Sequence, residues 1–326
     1  MTNSLEFCAS KPARNSTTSM LERTQLEKPV VFGQIDFVNC LPITLPLVAN
    51  LPAAMTLTMG NPGQLNKRYA EGELDIGAMS AHFLLTSPDF QLIPTLSISS
   101  QNEVGSVFLF SKRPLSELSG CRIGVPYASA TSVCLLKVLI KEEFGLSPEF
   151  VFDNDPEPFD ERFQAVLMIG DAALNTDERL KERAALQSQA LVRVDLGEWW
   201  RRLYQLPMVF GVWGARRSYV QANPADFAAI CSFLGETWRH GLSEEYPAVL
   251  SEAERRTGLS RRILDAYFRS QLDFDFSAEH EKALALFKRS MAAAPDDVVP
   301  QLFVTSCREL IADGIPAEWD GIDRLS

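Results

Sequence analysis

Short apolar runs alternate with helical segments between residues 30 and 216, and this alternation limits the fold more than any other pattern in the chain. The first run, residues 30–38, is rich in β-branched and aromatic residues, so it predicts a buried strand that leads into a helix from Pro42. A fresh alternation starts near Leu118, and a long apolar run at residues 206–213 follows it. Alternating strands and helices predict an α/β fold.

The restart of the alternation predicts two lobes. We interpret residues 29–112 together with 208–326 as one discontinuous lobe that ends in helices, and residues 113–207 as a second lobe inserted into it. The apolar runs at 107–110 and 206–213 then become two crossing strands that join the lobes. In such a layout the ligand is expected in the cleft between the lobes.

Composition narrows the possible partners. The net charge of -11 argues against nucleic acid or an anionic membrane surface as the main partner. Six cysteines are scattered singly, without metal-binding spacing, which predicts reduced thiols, a cytoplasmic location and no metal. Residues 1–28 are polar and lack the apolar core of a secretory signal, so we expect a disordered tail. No apolar run reaches the roughly 18 residues of a membrane span.

Small polar residues recur at the carboxyl ends of the predicted strands, where open α/β sheets bind ligands. They are Asn39, Ser80 with His82, Ser129 with Thr131 and Ser132, and Gly170 with Asp171. Ser106, at the start of the first crossing strand, is a further candidate to face the cleft. Hydroxyls and free N–H groups at the start of the helix after Ser129 would suit a carboxylate ligand.

Each of these residues also has an ordinary structural interpretation. Asn39, Ser129 and Thr131 could cap the helices that follow them. The Gly170–Asp171 pair could form a turn closed by an Asx hydrogen bond, and His82 could be a packed, hydrogen-bonded histidine.

The C-terminal helical part of the chain and the motifs that are missing from the sequence give less information about function. His240 and His280 are expected to be solvated, and Tyr267 is most simply a core residue. The chain has no dinucleotide-binding or phosphate-loop glycine motif, no nucleophile elbow and no zinc signature.

Five segments carry a resemblance to a known family. They are VNCLP at 38–42, G-x-LDIG at 72–77, S-x-TSV at 129–133, IGDAAL at 169–174 and LP-x-VF-x-VW-x-ARR at 206–217. In this order and spacing they resemble the chorismate dehydratases of the futalosine route to menaquinone. The similarity runs from about Val30 to at least Phe276, so the N-terminal tail lies outside it.

The resemblance implies a type-II periplasmic-binding-protein-like fold. It also implies dehydration of chorismate, a dianion, to 3-[(1-carboxyvinyl)oxy]benzoate without a metal or organic cofactor. By position, Asn39 and Ser106 match the substrate-contacting residues of the family, and we expect them to be catalytic. Ser129, Thr131 and Ser132 match its anion-binding helix start.

Loss of water makes the substrate ring aromatic, so the protein mainly has to position the dianion and stabilise the moving charge. We hypothesise that the enolpyruvyl carboxylate of the substrate takes the proton, while Asn39 and Ser106 fix its geometry. Ser80, Gly170 and Asp171 are expected to bind substrate. Proton transfer by His82 or Asp171 stays open as an alternative.

Two other functions remain possible on the sequence. A sister enzyme that makes 1,4-dihydroxy-6-naphthoate resembles this fold but relies on a histidine in the second lobe, and residues 113–207 contain no histidine. A non-catalytic solute-binding protein would require export or a lipid anchor, for which residues 1–28 offer no signal.

Overall fold

Two five-stranded mixed sheets organise the chain. The structure is a computed structural model that describes residues 24–184 and 191–293. We name the part built around one sheet the first lobe, and the part built around the other the second lobe.

The sheet of the first lobe has the strand order β2-β1-β3-β10-β4. Its strands are β1 (Val30–Ile35), β2 (Met55–Gly60), β3 (Ile76–Ser80), β4 (Phe90–Ser100) and β10 (Met208–Arg216). Strand β1 pairs in parallel with β2 and β3, whereas β10 is antiparallel to β3 and β4. These strands are rich in buried apolar residues, as the alternation predicted.

The sheet of the second lobe repeats the same plan, with the order β7-β6-β8-β5-β9. Its strands are β5 (Val107–Ser111), β6 (Arg122–Pro126), β7 (Glu149–Asp153), β8 (Ala165–Ile169) and β9 (Val192–Asp195). Strand β6 is parallel to β7 and β8, and β5 is antiparallel to β8 and β9.

The two expected crossing strands each belong to a single sheet. Strand β5 pairs only in the sheet of the second lobe, although the boundary at residue 112 assigned it to the first. The chain therefore crosses in the segment 101–106, and it returns through residues 205–207 into β10. The lobe boundaries stay a prediction, and the pairing of β5 favours a first boundary near residue 106.

Helices follow most strands. The helices are α1 (Leu41–Ala49), α2 (Pro62–Ala70), α3 (Ala81–Thr86), α4 (Ala130–Phe144), α5 (Gly170–Ala184), α6 (Leu196–Tyr204), α7 (Arg217–Ala222), α8 (Pro224–Gly241), α9 (Tyr246–Thr257), α10 (Arg261–Ala266) and α11 (Ala278–Ala293). A five-residue π-helix, Tyr267–Gln271, continues directly from α10.

Aromatic side chains fill both sheets' apolar faces. Phe32 and Trp213 are fully buried in the first lobe, and Phe108 and Phe163 are buried in the second. Burial of such side chains supplies most of the favourable free energy of folding. None of the helices in the described residues is both long and apolar enough to cross a membrane. Most of the tail predicted to be disordered, residues 1–23, lies outside the described residues.

Candidate active site

A cleft between the two lobes encloses about 540 Å³ of empty space, including space continuous with solvent. Both lobes contribute to its wall. The lining residues are Ile35, Phe37, Asn39, Cys40, Pro62, Ser80, Ile98, Val104, Ser106, Val107, Ser129, Ser132, Ile169, Gly170, Phe210 and Gly211. Six of the eight residues predicted to form the site are among them, so the cleft brings together positions from five separate segments of the chain.

Asn39 lies in a single 3-10 turn, Val38–Cys40, between β1 and α1. Its side chain caps neither that turn nor α1, so the capping interpretation of Asn39 is wrong. Its Oδ1 atom is buried and has no hydrogen-bond partner among the described residues. A buried acceptor without a partner costs free energy, so this oxygen is available to a ligand or to water in the cleft.

Ser80 ends β3 and caps α3, because its hydroxyl accepts a hydrogen bond of 3.1 Å from the N–H of Phe83. The amide of Asn66 donates a second hydrogen bond to the same oxygen at 2.9 Å. Asn66 lies inside α2, where its position gave no signal of a role at the cleft. The hydroxyl of Ser80 is thus both a helix cap and part of the cleft wall.

Ser129 caps α4, as the structural interpretation predicted, and its oxygen accepts from the N–H of Ser132 at 3.3 Å. The hydroxyl of Ser129 also donates to the hydroxyl of Ser132 at 2.9 Å. Both residues line the cleft. The start of this 15-residue helix therefore presents two hydroxyls and a partial positive charge to a ligand.

Gly170 opens α5, the second helix of the second lobe that begins at the cleft. Its φ angle of +59° is one that glycine adopts without strain. A Cβ atom at this position would lie 3.4 Å from the ring of Phe37 in the facing lobe. Glycine therefore lets the start of α5 approach the first lobe closely.

Thr131 and Asp171 do not line the cleft. The hydroxyl oxygen of Thr131 accepts from the N–H of His82 at 3.0 Å, and the carboxylate of Asp171 accepts from the N–H of Val38 at 3.0 Å. Each bond joins the second lobe to the first. The substrate contact expected of these two residues stays a prediction, and their observed role is to hold the lobes together.

The cleft wall carries no Asp, Glu, Lys, Arg or His side chain among the described residues. In the described part of the chain Cys40 is the one ionisable residue that lines the cleft, and burial raises the pKa of its thiol far above the usual range. A thiol that stays protonated is a poor base. Next to the cleft, burial also raises the pKa of Asp171, and this effect is partly offset by the N–H of Val38 and the charge of Arg256.

Ser106 is almost fully buried, and its hydroxyl accepts a hydrogen bond of 2.8 Å from the phenol of Tyr267. The carbonyl of Ser106 accepts from the N–H of Gly170 at 2.8 Å. Tyr267 was assigned to the core from the sequence, and it is indeed buried. Its hydroxyl nevertheless reaches a site residue that lies 161 positions away.

Asp195 is a second residue that supports the cleft wall and that the sequence did not indicate. Its buried carboxylate caps α6 and also accepts hydrogen bonds from the N–H groups of Val104 and Gly105, directly before Ser106. Burial raises its pKa to about 6, although these N–H groups act in the opposite direction.

The described histidines do not form a metal site. No group of three or more His, Cys, Asp or Glu residues that could hold a metal occurs in residues 24–184 and 191–293. His280 was expected to be solvated, but it is 1% exposed. Its ring accepts from the N–H of Ser277 at the start of α11, and it lies 3.3 Å from the carboxylate of Asp273. This is a helix-start contact away from the cleft.

Two sheets of the same mixed topology with a cleft between them define the class of two-lobed, binding-protein-like α/β proteins. A crystal structure of an Archaeoglobus fulgidus protein has a TM-score of 0.63 at 17% identity, covering 82% of this chain and 97% of that one. The alkanesulfonate-binding protein SsuA of Xanthomonas axonopodis pv. citri, bound to MOPS, has a TM-score of 0.53 at 16% identity, covering 82% and 93%. These likenesses confirm the predicted type-II periplasmic-binding-protein-like fold.

The chain belongs to the menaquinone biosynthesis family, which matches residues 30–293. A chorismate dehydratase of Thermus thermophilus is 33% identical over 214 residues, which make up 63% of this chain and 76% of the relative. The family suggested by the five sequence segments is thereby confirmed.

Proposed function

We propose that this protein is a chorismate dehydratase of menaquinone biosynthesis, a carbon–oxygen lyase that converts chorismate to 3-[(1-carboxyvinyl)oxy]benzoate and water. The family membership and the Thermus thermophilus relative support the proposal. A cytoplasmic location fits the singly scattered cysteines, which lack metal-binding spacing, and remains part of the proposal.

The observation that carries the proposal is the uncharged wall of the cleft. A dehydration that removes a proton from carbon requires a base, and the described lining residues offer only the protonated thiol of Cys40. A substrate that brings its own carboxylate close to the reacting C–H bond removes that requirement. Chorismate has such a carboxylate on its enolpyruvyl group.

Binding of the dianion then falls to helix starts and hydroxyl groups. The helices α4 and α5 begin at the cleft, and each has a partial positive charge at its N-terminus. Ser129 and Ser132 provide hydroxyls at the first of them, and Ser106, whose carbonyl accepts from the N–H of Gly170, provides one beside the second. These fixed dipoles need no rearrangement during the reaction, which is the property that lowers a barrier.

The chemical step balances without any other reactant. The C–H bond breaks at the ring carbon that bears the enolpyruvyl ether, and its proton goes to the enolpyruvyl carboxylate. The carboxylic acid so formed passes this same proton to the neighbouring hydroxyl, whose C–O bond breaks, so that water leaves, the carboxylate is regenerated and the ring becomes aromatic. In this scheme Asn39 and Ser106 hold the side chain of the substrate over the C–H bond.

Asp171, which follows the cleft residue Gly170, is a protein group that could replace the substrate carboxylate as base. Its carboxylate already accepts the N–H of Val38, and it lies outside the cleft wall. A direct role in proton transfer would require its other carboxylate oxygen to reach into the cleft, whose wall does not include Asp171. The geometry therefore favours a substrate base over Asp171.

The proposal is tested by incubating the protein with chorismate while the ultraviolet spectrum is recorded and the products are separated by chromatography. Formation of 3-[(1-carboxyvinyl)oxy]benzoate is expected in multiple turnovers. Tight binding of chorismate without turnover would instead identify a solute-binding protein. Absence of both binding and turnover would show that chorismate is not the substrate.

A further inference from the structure

Tyr267 does not line the cleft, and within the described residues its hydroxyl is linked to the cleft wall through Ser106 alone. It begins the π-helix Tyr267–Gln271, and its side chain is 2% exposed. π-Helical turns within α-helices often occur at functional sites. The phenol oxygen lies 2.8 Å from the hydroxyl oxygen of Ser106.

The direction of this hydrogen bond follows from the partners available. A hydroxyl has one hydrogen to donate and two lone pairs to accept with. Burial raises the pKa of the Tyr267 phenol well above its usual range, so the phenol keeps its proton. Its only hydrogen-bond partner among the described residues is Ser106, and a phenol that accepted from Ser106 would leave its own buried hydrogen without an acceptor. Tyr267 is therefore the donor.

Because Ser106 accepts from Tyr267, its own hydrogen is free to point elsewhere. The structure shows no acceptor for that hydrogen among the described residues, and Ser106 lines the cleft. We infer that Tyr267 is a positioning residue, which turns the hydroxyl of Ser106 into a hydrogen-bond donor directed at the anionic ligand. Chains of hydrogen bonds also strengthen one another, so the phenol makes Ser106 a better donor.

The backbone of Ser106 is held from the other side. Its carbonyl accepts from the N–H of Gly170, and Asp195 binds the N–H of Gly105 just before it. With the backbone fixed by the second lobe, the remaining freedom of Ser106 is rotation of its hydroxyl. Tyr267, in the C-terminal helical part of the first lobe, removes that freedom.

The inference rests on the proposed function, and a double-mutant cycle tests it. Tyr267→Phe keeps the ring and removes the hydroxyl, so kcat/KM for chorismate is expected to fall about tenfold, the loss typical of one hydrogen bond. In a Ser106→Ala background the same change should lower kcat/KM by less than about twofold, because no serine hydroxyl is left to orient.

Tyr246→Phe is the matched control. Tyr246 is also buried, packs edge-on against Phe268 at 6.4 Å, and donates its hydroxyl to Asp265 away from the cleft. Loss of the Tyr246 hydroxyl should change the melting temperature about as much as loss of the Tyr267 hydroxyl does. It should nevertheless leave kcat/KM unchanged. An equal loss from Tyr267→Phe with and without Ser106 would show a merely structural role and overturn the inference, as would wild-type activity of Tyr267→Phe.

Failure of the proposed function gives a different result. If the wild type binds chorismate but does not convert it, the dehydratase proposal fails while the hydrogen-bond inference can still be measured. The double-mutant cycle is then measured as chorismate affinity by calorimetry. Tyr267→Phe should weaken binding when Ser106 is present and should have little effect in the Ser106→Ala background. Equal losses of affinity in both backgrounds would overturn the inference on that measurement too.

Discussion

The carboxylate of Asp195 accepts a hydrogen bond of 2.8 Å from the backbone N–H of Gly105. Asp195 ends the last strand of the second lobe, and Gly105 lies in the segment through which the chain crosses between the lobes. This bond, with a second one to the N–H of Val104, fixes the chain immediately before Ser106. A residue remote from the ligand thereby sets the position of one that lines the cleft.

The first prediction concerns pH and Asp195. Burial raises its pKa from 3.8 to about 6, so between these values the folded protein holds a proton that the unfolded chain has lost. Stability attributable to Asp195 therefore falls as the pH rises from about 4 to about 6, by about 3 kcal/mol, and stays lower above that range. Urea denaturation gives the unfolding free energies of the wild type and of Asp195→Asn. On acidification from about pH 6 to about pH 4, the wild type should gain about 3 kcal/mol of stability relative to the variant.

Asp226→Asn is the control, because it also removes a carboxylate that accepts hydrogen bonds from backbone N–H groups. Asp226 accepts hydrogen bonds from the N–H groups of Glu27 and Lys28, away from the cleft. Asp195→Asn should lower kcat/KM at pH 7, since its amide would place a donor against an N–H group, while Asp226→Asn should not. A stability difference that is constant across pH would contradict the assigned pKa of Asp195.

The second prediction separates function from stability at Asn39. Its buried Oδ1 atom has no partner in the described residues, so Asn39→Ala removes a costly group and should leave the free energy of unfolding unchanged or higher, by up to about 1 kcal/mol. Turnover of chorismate should fall about 100-fold, the scale of losing one preorganised polar contact to a reacting group. Chemical denaturation and the ultraviolet assay measure the two effects, and loss of stability without loss of turnover would contradict this role.

The third prediction compares Thr131 with Ser132. Thr131→Val keeps the shape of the side chain but leaves the buried N–H of His82 without its acceptor, which should cost about 1–3 kcal/mol of stability. Ser132→Ala should instead weaken chorismate binding, because Ser132 lines the cleft. Urea denaturation and calorimetry on both variants test the contrast. Weaker binding in Thr131→Val at unchanged stability would restore Thr131 as a ligand contact.

The fourth prediction addresses the base. Loss of a general base lowers turnover by about 10²–10⁴, and the raised pKa of Cys40 makes its thiol unsuitable for that task. Cys40→Ala should therefore keep kcat within about threefold of the wild type. The wild-type kcat should also be level between about pH 7 and pH 9, where neither Asp195 nor the substrate carboxylates titrate. A rise in kcat with an apparent pKa in this range would point to a protein base.

Local sequence patterns were sufficient to predict the two lobes and most of the cleft. The run from Val30 became β1 and the restart near Leu118 became β6, and these two strands hold equivalent places in two sheets that share one topology. Asn39, Ser80, Ser129 and Gly170 line the cleft because each lies at or just beyond the carboxyl end of a strand. Ser106 joins them because the antiparallel strand β5 begins at the edge where β8 ends. Strand order itself was not predictable, since β5 and β10 pair far from their neighbours in sequence.

Side-chain direction was the main limit of the prediction. Thr131 and Asp171 were placed at the correct strand ends, but their oxygens point at N–H groups of the facing lobe. Tyr267 and Asp195 reach Ser106 and its neighbours from 161 and about 90 positions away. An apolar helix and a strand end carry no local mark of such distant partners, so only the folded arrangement reveals them.

The uncharged wall of the cleft bears on how an enzyme can arise from a receptor. A pocket of this type needs no new acid or base to become catalytic, provided that its ligand is one internal proton transfer away from an aromatic product. The difference between binding and turnover then lies in the conformation in which the cleft holds its ligand. Among proteins of this architecture, reactivity would be selected by the shape imposed on the ligand rather than by the acquisition of a reactive residue.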